Sequence, residues 1–127
     1  MKARWLLAIS AILAWAFGVM LMMNAKAMEA PMGIDVTDKV ATIAQAQGAI
    51  LFGLGLVNWL AQSVTDRRAL AAVLAGNLVV QLLSLGVVAR AMAMGIFPPQ
   101  AIGAIVIHVA LGAWFAFELA RLRKAQA

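Results

Sequence analysis

The sequence predicts an all-α membrane protein: a four-transmembrane-helix antiparallel bundle with both termini in the cytoplasm. Three observations predict it. Of the 127 residues, 65% are hydrophobic and only 12% are charged, against roughly half and roughly a quarter in soluble domains. The apolar residues gather into four runs of about 20, the length that carries a helix across the hydrocarbon layer. The lysines and arginines collect beside alternate connections, as they do when positive loops stay cytoplasmic. The runs are apolar on every face, which argues against the alternating strands of a barrel.

The expected spans are 5–23, 40–60, 69–89 and 99–119. Together they make residues 1–127 a single integral membrane domain, with no length left for a soluble one. In the first, Lys2 and Arg4 precede the apolar run and Ala25-Lys26-Ala27 follow it, a pattern that also fits a signal peptide and its cleavage site. The run of 19 residues from 5 to 23 exceeds the usual signal core of about 7 to 15, so the span is expected to be retained. The connection 24–39 holds Pro31, Gly33, Asp35 and Asp38, with Met28, Met32, Ile34 and Val36 suited to an interface. Thr65-Asp66-Arg67-Arg68 reads as a tight turn with a helix cap at Thr65 or Asp66, making spans two and three a hairpin. Pro98-Pro99 opens the fourth helix, where a missing amide proton costs nothing.

Lys2, Arg4, Arg67, Arg68, Arg121, Arg123 and Lys124 fall on one side of this topology, and Lys26, Lys39 and Arg90 on the other, with Glu29, Asp35 and Asp38. The formal charge of +5 is therefore assigned to topology and anionic headgroups, and nucleic acid is not an expected partner. The chain has no cysteine, which excludes disulfides, thiolate metal sites and cysteine nucleophiles.

Apolar burial gives little drive between helices in lipid, so small residues and polar side chains must supply it. Ala14 and Gly18, Ala49 and Gly53, Ala72 and Gly76, and Gly112 and Ala116 are small residues four apart, expected to face other helices. Trp5, Trp59 and Trp114 lie near span ends, where amphipathic rings favour headgroups. Trp15 lies deeper and is expected to pack.

Polar residues inside spans are costly and mark either helix contacts or function. Counted from the cytoplasmic ends, Asn77 and Gln81 lie ~12 and ~18 Å deep, His108 ~17 Å and Gln47 ~20 Å. Asn77, Gln81 and Ser84 share a face of the third helix. A polar mid-membrane layer of Gln47, Asn77, Gln81 and His108 joining spans two to four is expected, either as structural glue or as a pathway.

His108, the only histidine, is expected to hydrogen-bond a neighbouring amide. The alternatives are an axial ligand to a haem or chlorophyll-type pigment and a station on a proton path. One chain cannot supply two histidine ligands to a haem, and zinc lacks enough ligands. Arg90, closing the third span, is expected to snorkel, with a lipid or anion contact as the alternative. Glu118 and Arg121 are spaced for an ion pair. No nucleophile has a matching base, no carboxylates pair within a span and no glycine motif cradles phosphate, so no enzyme activity is expected.

The second span reads Ala44-Gln45-Ala46-Gln47-Gly48 and then Gly53-Leu54-Gly55-Leu56-Val57-Asn58-Trp59-Leu60-Ala61. Arg67-Arg68-Ala69-Leu70 leads to Gly76-Asn77-Leu78, and His108 precedes Leu111-Gly112 and Trp114-Phe115-Ala116-Phe117. Over roughly 44–119 this pattern resembles a family of small bacterial membrane proteins with four spans and no assigned activity. The resemblance implies that topology and a bacterial inner membrane, and supplies no catalytic residues.

The leading expectation is a non-enzymatic accessory or scaffold subunit of a larger membrane complex, or a homo-oligomer, with the lipid bilayer as its other partner and no cofactor. A small channel or transporter using the polar layer is the first alternative. A pigment- or haem-binding subunit through His108 is the second.

Overall fold

A computed structural model describes residues 2–124; residues 1 and 125–127 of the chain lie outside the described residues. The chain is all-helical and has four helices long and apolar enough to cross a membrane. They are α1 (Lys2–Glu29), α2 (Asp38–Ala61), α3 (Arg67–Ala93) and α4 (Ile102–Lys124). Short 3₁₀ turns at Ala30–Met32 and Pro99–Ala101 precede α2 and α4.

Each boundary has a local cause. Within α1 the backbone leaves helical geometry at Asn24 (φ −150°, ψ 62°). Its side-chain oxygen accepts from the Ala27 amide at 3.2 Å, as an N-cap does for a new helix start. The apolar stretch thus ends at Met23, and the turn beyond it is a separate short segment. Thr37 caps α2 by accepting from Val40 N at 3.3 Å, and Asp66 caps α3 by accepting from Ala69 N at 2.7 Å. α3 runs past the expected end at 89 to a Schellman stop: Ile96 N donates to Ala91 O, Gly95 N donates to Met92 O, and Gly95 has φ +68°. The expected helix start at Pro99 is instead a 3₁₀ turn, with α4 proper beginning at Ile102.

α1 packs chiefly on α2, and α3 chiefly on α4. The α1–α2 seam is set by backbone approach. A Cβ added at Gly48 would lie 2.6 Å from Gly18 O, and one at Gly18 would lie 2.8 Å from Gly48 O, so no side chain fits at either position. Gly55 lies under the Trp15 ring, where a Cβ would meet Cδ1 at 2.6 Å. Trp15 packs against Trp59 with the rings tilted by 40° and centroids 5.4 Å apart, and donates from Nε1 to Phe52 O at 3.2 Å. Trp15 is therefore a packing residue of the seam. Contacts of this kind carry helix association where apolar burial is weak.

The two pairs join at the end where α1 starts and α4 finishes. Leu6 and Leu7 of α1, Ala61 of α2, Leu74 of α3 and Phe115 and Leu119 of α4 form one buried cluster there. Farther along, Leu21 and Ala25 pack with Ala44 in a cluster confined to α1 and α2.

α2 forms its main contact with α1. The expectation that the four small pairs face other helices fails for two of them. The small pairs Ala49/Gly53 and Ala72/Gly76 are exposed, and nothing lies within 4 Å of a Cβ at Gly53 or Gly76. The face that α2 turns to α1 carries Ala44, Gly48 and Gly55, a different azimuth from Ala49 and Gly53.

Candidate functional site

The polar residues buried among these helices form two separate groups. Asn58 of α2, 1% exposed, and Asn77 of α3, 3% exposed, make a reciprocal amide pair. Asn58 Nδ2 donates to Asn77 Oδ1 at 2.9 Å, and Asn77 Nδ2 donates to Asn58 Oδ1 at 2.7 Å. The second proton of each amide is also used. Asn58 donates to Ser10 Oγ at 3.2 Å and Asn77 to Val73 O at 3.0 Å, while Ser10 Oγ donates to Leu7 O at 3.0 Å. Every side-chain N–H of the pair has a partner, and each oxygen accepts from the other amide. The group ties α1, α2 and α3 together and is closed to a solute.

One turn further along α3, Gln81 Oε1 lies 2.8 Å from His108 Nδ1 of α4. With the amide oxygen turned to the ring, the contact calls for a proton on Nδ1, and in the neutral imidazole that form has its lone pair on Nε2. This contact links α3 to α4 beside Gly112, where a Cβ would meet Gln81 Cβ at 3.4 Å. His108 is half-buried and makes no other hydrogen bond among the described residues.

The structure corrects the expected layer at two points. Gln47 does not join Asn77, Gln81 and His108; it is exposed on α2, with no hydrogen bond among the described residues. Asn58 and Ser10, which the depth argument passed over, are central. Depth was counted from the edge of each apolar run, placing Asn58 only ~3 Å inside the second span. The helix ends are not level. α2 stops three residues after Asn58, whereas α3 starts ten residues before Asn77, so α3 reaches about 10 Å farther out at this end. The loop at 62–66 spans the difference. The Asn58-Trp59 pair in the sequence was the available signal.

No family model matches the chain, and neither a curated protein nor a solved structure matches it.

Two clefts lie at the margins. Arg90, exposed in the last turn of α3, lines an open groove of about 310 Å³ with Val87, Ala91, Met94 and Ile96. At the other end, a cleft of about 200 Å³ is lined by Ala3, Arg67, Leu70, Leu74, Glu118, Arg121 and Leu122. Glu118 is 4% exposed and pairs with Arg121 at 3.3 Å. Among the described residues, no three His, Asp or Glu side chains converge as metal ligands would.

Proposed function

We propose that the protein is a non-enzymatic accessory or scaffold subunit of the bacterial inner membrane, embedded in the bilayer and assembled with other membrane subunits or with itself. It has no nucleic-acid partner and no cofactor. Its helices run antiparallel with both ends in the cytoplasm. The antiparallel reading is supported by the α1–α2 seam, where positions 11, 18 and 22 meet 55, 48 and 45 in descending order. The placement of Arg67, Arg68, Arg121 and Arg123 supports cytoplasmic termini.

The observation that carries the assembly reading is Gln47. It lies eleven residues before Asn58, three turns along the same side of α2. Asn58 is buried and bonded, whereas Gln47 is exposed without a partner among the described residues. An unpaired amide at span depth is unfavourable in hydrocarbon and is relieved by a polar group on another helix. Purification in mild detergent is expected to recover a stoichiometric membrane partner or a defined oligomer. Gln47→Leu should weaken that assembly while leaving the fold intact. A lone monomer under all gentle conditions, or an assembly indifferent to Gln47→Leu, would refute it.

A second reading, a haem or chlorophyll-type pigment on His108, is favoured by the Nδ1 contact with Gln81, which leaves Nε2 without a partner among the described residues. A Nδ1–H held by an acceptor is the usual arrangement of a ligating histidine. A purified protein without a Soret or near-infrared band removes this reading.

A further inference from the structure

The cleft where α1 starts and α4 finishes has a polar rim and an apolar floor. Arg67 in the first turn of α3 and Arg121 in the last turn of α4 border it, and Leu70, Leu74 and Leu122 lie along it. We propose that this cleft seats the headgroup phosphate of an anionic glycerophospholipid against Arg67 and Arg121, with an acyl chain over Leu70 and Leu122. The proposal rests on the membrane-spanning reading of the helices.

Three observations support that ligand. The first is charge. Among the described residues, Arg4, Arg67, Arg68, Arg121, Arg123 and Lys124 gather at this end with two acidic side chains, Asp66 and Glu118. The second is the way Arg121 is held. Glu118 is buried and takes one guanidinium nitrogen, Nη1, while the Arg121 side chain remains 49% exposed. The carboxylate braces the guanidinium from behind and leaves its other donors for an anion; a guanidinium fork matches phosphate oxygens. The third is the floor. Leu70 and Leu122 are partly exposed above the fully buried Leu74, and give the cleft an apolar lining that free phosphate would not use. Headgroups lie where apolar helices end, and basic side chains there attract anionic lipid.

The test uses the full chain reconstituted in phosphatidylcholine vesicles containing a small fraction of photoactivatable phosphatidylglycerol. The wild-type protein should cross-link the label at Leu70 or Leu122. After detergent release it should retain phosphatidylglycerol over phosphatidylcholine by native mass spectrometry. Arg67→Gln with Arg121→Gln should lower that retention, by roughly fivefold per arginine, while Lys39→Gln, at the far end of α2, leaves it unchanged. Arg67→Lys with Arg121→Lys, which keeps the charge and loses the guanidinium fork, should fall between the wild type and the glutamine variant, and it carries the test if the glutamine variant does not fold.

Equal retention of the two lipids, or a cross-link that avoids the cleft, overturns the proposal. So does displacement of the lipid by orthophosphate alone, which would make the site one for free phosphate. Flotation with phosphatidylcholine vesicles separates the two levels. A protein that floats without headgroup preference has lost only this cleft, whereas one that does not float has lost the membrane reading itself.

Discussion

The Asn58–Asn77 pair shows how a residue can be expensive alone and stabilising in company. Two reciprocal hydrogen bonds at 2.7 and 2.9 Å satisfy groups that would otherwise be stranded among Leu, Ala and Phe side chains. Interhelical polar contacts in membranes contribute about 0.6 to 2 kcal/mol, while an abandoned buried donor or acceptor costs about 1 to 3 kcal/mol. Replacing one amide by leucine is therefore expected to destabilise the fold by about 1 to 3 kcal/mol. The double replacement Asn58→Leu/Asn77→Leu should cost less than the sum of the singles, because no unpaired amide remains. Reversible unfolding in mixed micelles measures the cycle, and strict additivity would mean that the two amides do not depend on each other. Ser10 belongs to the same unit, so Ser10→Ala should have a smaller effect in the same direction: it frees one of two N–H groups on Asn58.

At the scale of elements, four helices were legible because span length and apolar content are direct consequences of hydrocarbon thickness. Asp66 as a cap, Trp15 as a packing residue and the Glu118–Arg121 pair were legible for a similar reason, since each depends on neighbours close in sequence or on depth alone. Helix azimuth was not legible. A soluble helix advertises its buried face by polarity, but these are apolar all round, so Gly48 and Gly53 look alike in the sequence. Only the structure separates them: Gly48 abuts the Gly18 carbonyl, and Gly53 faces open space. Gly48→Ala should consequently force the α1–α2 backbones apart and cost about 1 to 3 kcal/mol. Gly53→Ala should be neutral or stabilising by up to about 1 kcal/mol through helix propensity. The same unfolding assay ranks them, and equal effects would show that the seam does not run through Gly48. Relative helix height was also illegible, because hydropathy edges do not reveal that α2 ends short of the start of α3; that is why Asn58 escaped the depth argument while Gln47 was drawn into it.

The whole molecule is two tightly seamed pairs joined at one end by the Leu6, Leu7, Leu74 and Phe115 cluster and by the amide group beside it. In the most apolar stretch of α2 and of α3, only 17% is buried within the described residues, so the chain itself leaves most of that surface uncovered. Its orientation in a bilayer is set by charge outside the spans. Arg67, Arg68, Arg121, Arg123 and Lys124 lie at the end that also holds the start of α1, while Lys26 and Glu29 at the end of α1, Asp35 in the connection and Asp38 and Lys39 at the start of α2 lie at the other. The K/R excess favours the first end on the cytoplasmic side, because translocating several cations is disfavoured. The absence of cysteine from the chain makes it a clean background for single-cysteine reporters. Asp35→Cys, in the connection between α1 and α2, should react with a membrane-impermeant maleimide applied to intact spheroplasts. Thr65→Cys and Arg123→Cys should react only after the membrane is opened. Arg123→Cys also removes one of several clustered cations, so Thr65→Cys is the stricter reporter. Labelling of Thr65→Cys in intact spheroplasts would invert the topology, and the basic cleft of Arg67 and Arg121 would then face the outer leaflet.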